Sequence, residues 1–240
     1  MSHRSSCSAD LPQAHLRIHT IRPSPRLQSP SLSPPPIHPM KRLLLALCLA
    51  PLLSPWLNAA ALTAEELTRA TDHLKKTSTA FLASTKGLSE AQLNFKPDPT
   101  RWSVAEVAEH IASAEDFLMG MIQEKVMKAP ARTEPANLKE IDDFVVTAIA
   151  DRSKKAQAPE PLAPTNRFGS AAGSVKHFKE SRAKTVAFLK DTKDLREHAS
   201  VSQLGKTLDA YQWVLFVSAH CERHTKQIDE VKADPNFPKK

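Results

Sequence analysis

The sequence predicts an all-α protein: an antiparallel four-helix bundle with a long crossover connection and one extra short helix. Four long stretches carry apolar residues at helical spacing, and no stretch alternates apolar and polar residues as a half-buried strand does. Proline and glycine gather in the connections, most of all in the irregular stretch 156–173. Amphipathic helices joined in this way bury their apolar faces against one another, which is the architecture of a bundle.

The first 61 residues differ in composition from the rest. Residues 1–39 are rich in Ser, Pro, His and Arg, so they cannot bury a core, and we expect a disordered extension or mistakenly translated upstream sequence. Residues 40–61 have the basic start, apolar middle and small-residue end of a secretory signal peptide. The sequence therefore predicts a true start at Met40, a periplasmic or secreted protein without stable membrane insertion after cleavage, and a single helical domain at 62–240.

The charge of the predicted domain gives no reason to expect nucleic acid as a partner. The whole chain has a formal net charge of +7. Residues 62–240 hold 27 Lys and Arg against 25 Asp and Glu, so the basic excess lies mainly in the leader. Cys221 is the one cysteine of this part, which excludes an internal disulfide.

Capping boxes mark the starts of the first two long helices. Thr63 precedes Glu66 by three residues, and Ser103 precedes Glu106 by three, in the S/T-x-x-E pattern that closes a helix N-terminus. The connection 88–100 contains two prolines and is expected to be irregular. The pattern predicts long helices at 63–87, 103–127, 174–190 and 211–231, and a shorter helix at 138–152.

Two histidines interrupt the apolar face of the last predicted helix. His220 and His224 occupy places that call for apolar residues, and their spacing puts the rings one turn apart, about 6 Å along the axis. His110 has a similar place on the helix 103–127. An unpartnered polar group on a buried face costs about 1–3 kcal/mol, so each ring needs a partner. Three imidazoles with an open position suit a catalytic divalent metal; zinc and nickel rank first, with iron, cobalt and manganese as alternatives.

Two segments resemble those of DinB-like (YfiT-like) domains. Trp102-Ser-Val-Ala-Glu-Val-Ala-Glu-His110 is similar to their W-S-x-x-E-x-x-x-H segment, and His220-Cys-Glu-Arg-His224-Thr-Lys-Gln-Ile is similar to H-x-x-x-H-x-x-Q-I. The resemblance covers essentially all of 62–240. It implies a four-helix bundle, frequent homodimers, and one divalent metal on His110, His220 and His224. Members include thiol-dependent transferases and isomerases, candidate hydrolases and many proteins of no known activity.

Other residues near the motifs have alternative interpretations. Glu106, one turn before His110, is the candidate general base or an orienting carboxylate, with a purely capping role as the alternative. Cys221 is a fourth ligand, a redox thiol or, as the favoured interpretation, a small buried hydrophobe. Gln227 is a candidate for orienting a ligand. The remaining histidines of the domain match no motif and are expected at the surface: His73, His177 and His198.

Three function hypotheses remain, and a zinc protease is not among them because its glutamate is missing. In the five-residue motif that begins and ends with histidine, zincins need Glu at the second place and the inverted form needs it at the fourth. Here Glu222 takes the third place. The first hypothesis is a metal-dependent hydrolase or thiol-transferase, in which the metal activates a water or thiol against an unknown small-molecule substrate. Export counts against thiol transfer, because low-molecular-weight thiols are mainly cytosolic. The second is a non-catalytic metal-binding or stress-associated helical-bundle dimer, which predicts a closed site where the enzyme predicts an open one beneath a pocket. The third is a purely structural bundle, which predicts no metal affinity.

Overall fold

A computed structural model describes residues 61–133 and 136–239. The predicted extension 1–39 and all but Ala61 of the predicted signal peptide lie outside these residues. The described part contains six α-helices and one small antiparallel sheet: α1 (Ala64–Thr85), α2 (Glu90–Asn94), α3 (Val104–Met121), α4 (Leu138–Ala150), α5 (Ala171–Asp191), β1 (Ala199–Val201), β2 (Thr207–Asp209) and α6 (Ala210–Lys232). A π-helical turn, Ile122–Val126, prolongs α3, and a 3-10 turn, Glu160–Leu162, precedes α5.

Both predicted capping boxes are present. Thr63 Oγ1 accepts a hydrogen bond from the Glu66 amide at 3.1 Å, and Glu66 Oε2 accepts one from the Thr63 amide at 2.8 Å. Ser103 and Glu106 make the same reciprocal pair at the start of α3. These contacts satisfy amides that have no partner within the helix, and so they fix where α1 and α3 begin.

The bundle consists of two parallel helix pairs set antiparallel to one another. At the N-terminal ends of α1 and α6, Tyr211 Oη donates to the Glu66 carbonyl, and at their C-terminal ends Lys232 Nζ donates to the Ser84 carbonyl. Helices α1 and α6 are therefore parallel.

The pair α3 and α5 is also parallel. In contrast, α1 and α5 run in opposite directions: Phe81 packs on Phe178 with ring centroids 4.7 Å apart, and the Leu74 carbonyl, earlier in α1, accepts from Arg182, later in α5. Because the long helices α3 and α5 run in the same direction, the chain must cross back along the bundle between them. Helix α4 lies within this crossover connection. The predicted all-α bundle with a crossover is confirmed.

Helix α6 is the centre of the bundle and packs against α1, α3 and α4. It is buried on almost every side along its first half. Two buried arginines tie the surrounding elements together. Arg182 of α5 forms a two-pronged ion pair with Glu115 of α3, with both nitrogen–oxygen distances at 2.7 Å. Arg196 binds three carboxylates, those of Glu66, Asp142 and Asp209.

The structure corrects the prediction that the domain has no strands. β1 and β2 pair antiparallel, with Ser200 opposite Leu208, and Gly205 takes the left-handed conformation that the turn between them needs (φ 69°). Each strand has three residues, which is too short for an alternating pattern to stand out. The connection 88–100 also contains the one-turn helix α2. None of the described helices is long and apolar enough to span a bilayer.

Candidate metal centre

Three predicted histidines come together where α3 crosses α6. His110 lies in the first half of α3, and His220 and His224 lie one turn apart on α6. The ring centroids of His110 and His224 are 4.4 Å apart, as are those of His220 and His224. One nitrogen of each ring lies within 4.8 Å of a nitrogen of both others. The packing of two non-consecutive helices thus unites residues that are distant in sequence.

A hydrogen bond to a backbone carbonyl determines which ring nitrogen of His110 carries the proton. Its Nδ1 lies 2.9 Å from the carbonyl oxygen of Leu162, in the 3-10 turn before α5. A carbonyl only accepts, so Nδ1 carries the proton and donates. In the neutral ring Nε2 is then an unprotonated lone pair.

A hydrogen bond to an amide side chain determines the protonated nitrogen of His224 in the same way. Its Nδ1 lies 2.8 Å from Gln227 Oε1. The same oxygen lies 3.4 Å from Arg152 Nη1. A guanidinium only donates, so Gln227 presents its oxygen, and His224 Nδ1 carries the proton. Gln227 therefore has the orienting role expected for it.

Two lone pairs face each other as a consequence. Nε2 of His110 lies 3.2 Å from Nε2 of His224, and neither has a proton to share. Two nitrogens that bind one tetrahedral metal at 2.0–2.1 Å are about 3.3 Å apart. The observed spacing and the neutral donors fit a divalent ion between the rings.

Burial keeps all three imidazoles neutral. Desolvation, reinforced by the neighbouring His110, lowers the pKa of His224 to about 3. Desolvation and then the other two rings lower the pKa of His220 well below its ordinary value. Burial also lowers the pKa of His110, against the opposing effect of its bond to Leu162. Neutral imidazole is the form that binds metals, so near pH 7 protons compete little with a metal here.

A cavity of about 1040 Å³ opens beside the three rings. This is at the upper end of the range for small-molecule sites. Arg152, Arg223 and Gln227 lie in its wall together with the histidines. The apolar part of the wall comes from α3, α4, α6, the 3-10 turn and the residue just before the N-cap of α3: Trp102, Phe117, Leu118, Met121, Ile149, Leu162, Trp213 and Phe216.

Sequence reasoning missed the loop that supplies the Leu162 carbonyl. The buried carboxylate of Glu109 accepts hydrogen bonds from the amides of Thr165, Asn166 and Arg167, at 2.7, 2.7 and 3.2 Å. Burial alone would raise the pKa of Glu109, but these bonds outweigh it and hold the pKa below its ordinary value. Glu109 thereby anchors the segment that follows Leu162. Only its position next to His110 in the sequence hinted at this role.

The structure does not place Glu106 with the histidines. One carboxylate oxygen closes the capping box, and the other lies 2.8 Å from Lys96 Nζ. Glu106 lines a separate cavity of about 500 Å³, which also contains Glu109 and Ser174. Its geometry favours the capping role over that of a general base at the metal.

Cys221 also points away from the three rings. Its Sγ lies 3.7 Å from the Thr77 carbonyl of α1, and burial raises the pKa of the thiol to about 11. A buried, protonated thiol is a small hydrophobe, as the favoured interpretation had it.

The expectation that His73 lies at the surface is wrong. It is half-buried between α1 and α6, with Nδ1 2.6 Å from Ser218 Oγ and Nε2 3.3 Å from Glu222 Oε2. His177 and His198 are also only partly exposed. His198 forms a second cluster of metal-binding residue types with Asp194 and Glu197, all half-exposed. Nothing else marks that cluster as a site.

The fold and the rings define an all-α bundle with an open three-histidine site. The profile of the DinB superfamily matches residues 73–228, a range that includes all three histidines. The chain belongs to the DinB superfamily, and the resemblance of its two segments is confirmed.

Two proteins of Bacillus subtilis are similar to this chain. YuaE (strain 168), an uncharacterized protein, is 30% identical over 148 residues, which cover 61% of this chain and 87% of YuaE. The solved structure of YfiT is described as that of a probable metal-dependent hydrolase with an unusual four-helix bundle topology. It is 13% identical with a TM-score of 0.46, over 74% of this chain and 92% of YfiT.

Proposed function

We propose that this chain is a divalent-metal-dependent enzyme for a small-molecule substrate, with His110, His220 and His224 as metal ligands. One observation carries the proposal. The three rings converge at the wall of a large cavity, and no carboxylate or thiol of the described residues joins them. Structural metal sites are closed by four protein ligands, whereas catalytic sites keep a position open.

The ion would supply Lewis-acid activation of a water or a thiol. The chain's own residues prepare the site for it. Leu162 and Gln227 hold the protons of two rings on Nδ1 and so keep Nε2 free. We place hydrolysis before thiol transfer because it needs no second substrate, and zinc or nickel before iron, cobalt and manganese.

Elemental analysis tests the metal site directly. The full chain is purified without an affinity tag or added metal, beside the double variant His220→Ala/His224→Ala and the control His177→Ala. We expect about one metal per chain in the parent and the control, and none in the double variant with its helicity retained. A parent that takes up none of these five metals, even on reconstitution, would sink the proposal.

X-ray absorption then separates an enzyme from a metal store. Three imidazoles with an exchangeable water support the catalytic proposal. Four protein ligands would instead favour the non-catalytic bundle, in which the metal is sequestered.

Export and dimerisation are further parts of the proposal. They are supported by the signal-like composition of residues 40–61 and by the resemblance to DinB-like domains. An intact mass that corresponds to a chain beginning near Leu62 would support cleavage of a signal peptide. A mass that corresponds to a chain including residues 1–39 would oppose it. Light scattering of the purified chain distinguishes a dimer from a monomer.

A further inference from the structure

We infer that the cavity beside the three histidines takes an amphipathic organic anion. Its apolar body lies against the aromatic wall, and its anionic group lies at the basic loop 151–158, which leads away from α4. This inference names a substrate class for the proposed function and, in that respect, rests on it. The features that carry it do not depend on the metal.

The first feature is the apolar character of the cavity mouth. Phe117 of α3 is 48% exposed and Val201 of β1 is 78% exposed, and they are the large hydrophobic side chains of the described residues that stand open to solvent. Both line this cavity. Trp102 and Phe216 continue the apolar surface inward. Exposed apolar side chains gathered at one opening indicate a place where a ligand covers them.

The second feature is the excess of positive charge around the same cavity. Six basic side chains line it, against the two carboxylates of Asp151 and Glu230. Both carboxylates already have partners. Asp151 accepts from the amide and hydroxyl of Ser153 at 2.8 and 2.7 Å, and Glu230 binds Arg152 through both oxygens.

Four of the basic groups have no such partner. Among the described residues, no side-chain hydrogen bond or ion pair joins Arg101, Lys125, Lys154 or Lys155 to another group. These cations are therefore free to meet a negative charge brought by a ligand.

The basic loop is held close to the histidines by the residue before His224. The Arg223 guanidinium donates to the carbonyls of Asp151 and Lys154, and Lys226 Nζ donates to the Ala150 carbonyl at 3.2 Å. Side chains of α6 thus tie the loop to the helix turn that carries a metal ligand. An anionic group bound at Lys154 and Lys155 has a fixed position relative to the three rings.

The same combination of basic and apolar side chains also suits a lipid surface. The features here surround a concave space of about 1040 Å³, which encloses a molecule better than it meets a plane. We therefore assign the cavity to a single amphipathic anion and make vesicle binding an outcome of the test.

Two fluorescent probes with the same aromatic body test this assignment. Anilinonaphthalene sulfonate carries a negative charge, and phenylnaphthylamine is neutral. Both are titrated into the metal-free full chain and the reconstituted chain, whose native packing is checked by near-ultraviolet circular dichroism. We expect one site per chain, with the sulfonate bound at least about fivefold more tightly than the neutral probe and its advantage reduced by salt.

Variants locate the site. Lys154→Ala/Lys155→Ala should weaken the sulfonate about three- to tenfold and leave the neutral probe unchanged. Lys75→Ala/Lys76→Ala, an exposed lysine pair of α1 outside the cavity, is the matched control and should change neither. Phe117→Ser should weaken both probes. Equal affinity for the two probes, or an equal effect of the two lysine variants, would overturn the inference.

Vesicles and the metal analysis separate the remaining outcomes. Binding to phosphatidylglycerol vesicles without stoichiometric binding of the soluble sulfonate would overturn the inference in favour of a membrane surface. A chain that holds metal and shows no preference for the anion contradicts this inference alone. A chain that prefers the anion and holds no metal contradicts the proposed function alone.

Discussion

Glu109 Oε1 accepts a hydrogen bond from Arg167 Nε at 3.1 Å, and this contact helps to position the ring of the adjacent His110, a proposed metal ligand. The other two guanidinium nitrogens of Arg167 donate to the carbonyls of Pro161 and Ala163, at 3.0 and 2.7 Å. Those carbonyls flank Leu162, whose own carbonyl holds His110. A carboxylate next to His110 in sequence therefore reaches that ring through the folded loop.

Glu109→Gln should weaken metal binding about 10- to 100-fold, the usual cost of losing a contact that orients a metal ligand. The NH₂ group of the new side chain is a donor, and it would face backbone amides that now donate hydrogen bonds to the carboxylate. The measurement is metal affinity by chelator competition, with nitrogen NMR of the metal-free chain to report the His110 tautomer. Glu124→Gln, at an exposed carboxylate paired with Lys128, is the control. Unchanged affinity and tautomer in Glu109→Gln would remove Glu109 from the site.

Glu106→Ala should lower stability and leave the metal in place. It removes the side-chain half of the capping box and the ion pair with Lys96, a loss of about 1 kcal/mol in the free energy of unfolding. Urea unfolding measures the cost, and elemental analysis measures the metal. Loss of turnover at unchanged stability would instead support Glu106 as the general base.

The metal-free chain should lose stability as the pH falls from about 6.5 towards 3. The pKa of His224 is about 3 in the folded chain, against an ordinary value of 6.5, which we take for the unfolded chain. Between these values the unfolded chain binds a proton that the folded chain does not, so stability rises with pH by about 1.4 kcal/mol per unit for one such group.

The check is urea unfolding with a chelator present, between about pH 4 and 7. Carboxylates also titrate at the acidic end, so the comparison is with His220→Ala/His224→Ala, whose slope should be smaller. Equal slopes in the parent and the variant would show that these rings do not govern the acid response.

Glu115→Gln should destabilise the fold by about 3–5 kcal/mol, because it leaves the charge of Arg182 buried without its partner. Glu115→Leu/Arg182→Met, which removes both charges, should cost less than the single change. Thermal or urea unfolding measures both. Glu124→Gln at the exposed pair should cost no more than about 1 kcal/mol. A single variant that matches this exposed control would contradict the importance of the buried pair.

The sequence predicts the long helices and the grouping of the three histidines well because both leave local signals. Thr63 and Ser103 mark helix starts by their own side chains, and His220 and His224 stand out on an apolar face. The Leu162 carbonyl leaves no such signal, since every residue has one and only the folded loop aims it at His110. Glu106 and Glu109 show the same limit. The spacing from Ser103 identifies Glu106 as a capping-box residue, but it does not exclude a role at the histidines, and nothing in the sequence shows that Glu109 reaches the loop before α5.

The docking of the last helix, α6, beside α1 and α3 determines when the three histidines can come together. His110 and His224 are 114 residues apart, and the helix that carries two of the ligands docks between elements that come much earlier in the chain. Before α6 is in place the chain offers one of the three proposed ligands, His110, and a lone imidazole does not hold an ion firmly. In the proposed function, metal loading therefore follows the completion of the bundle, and a chain stalled or cut before α6 should carry no metal.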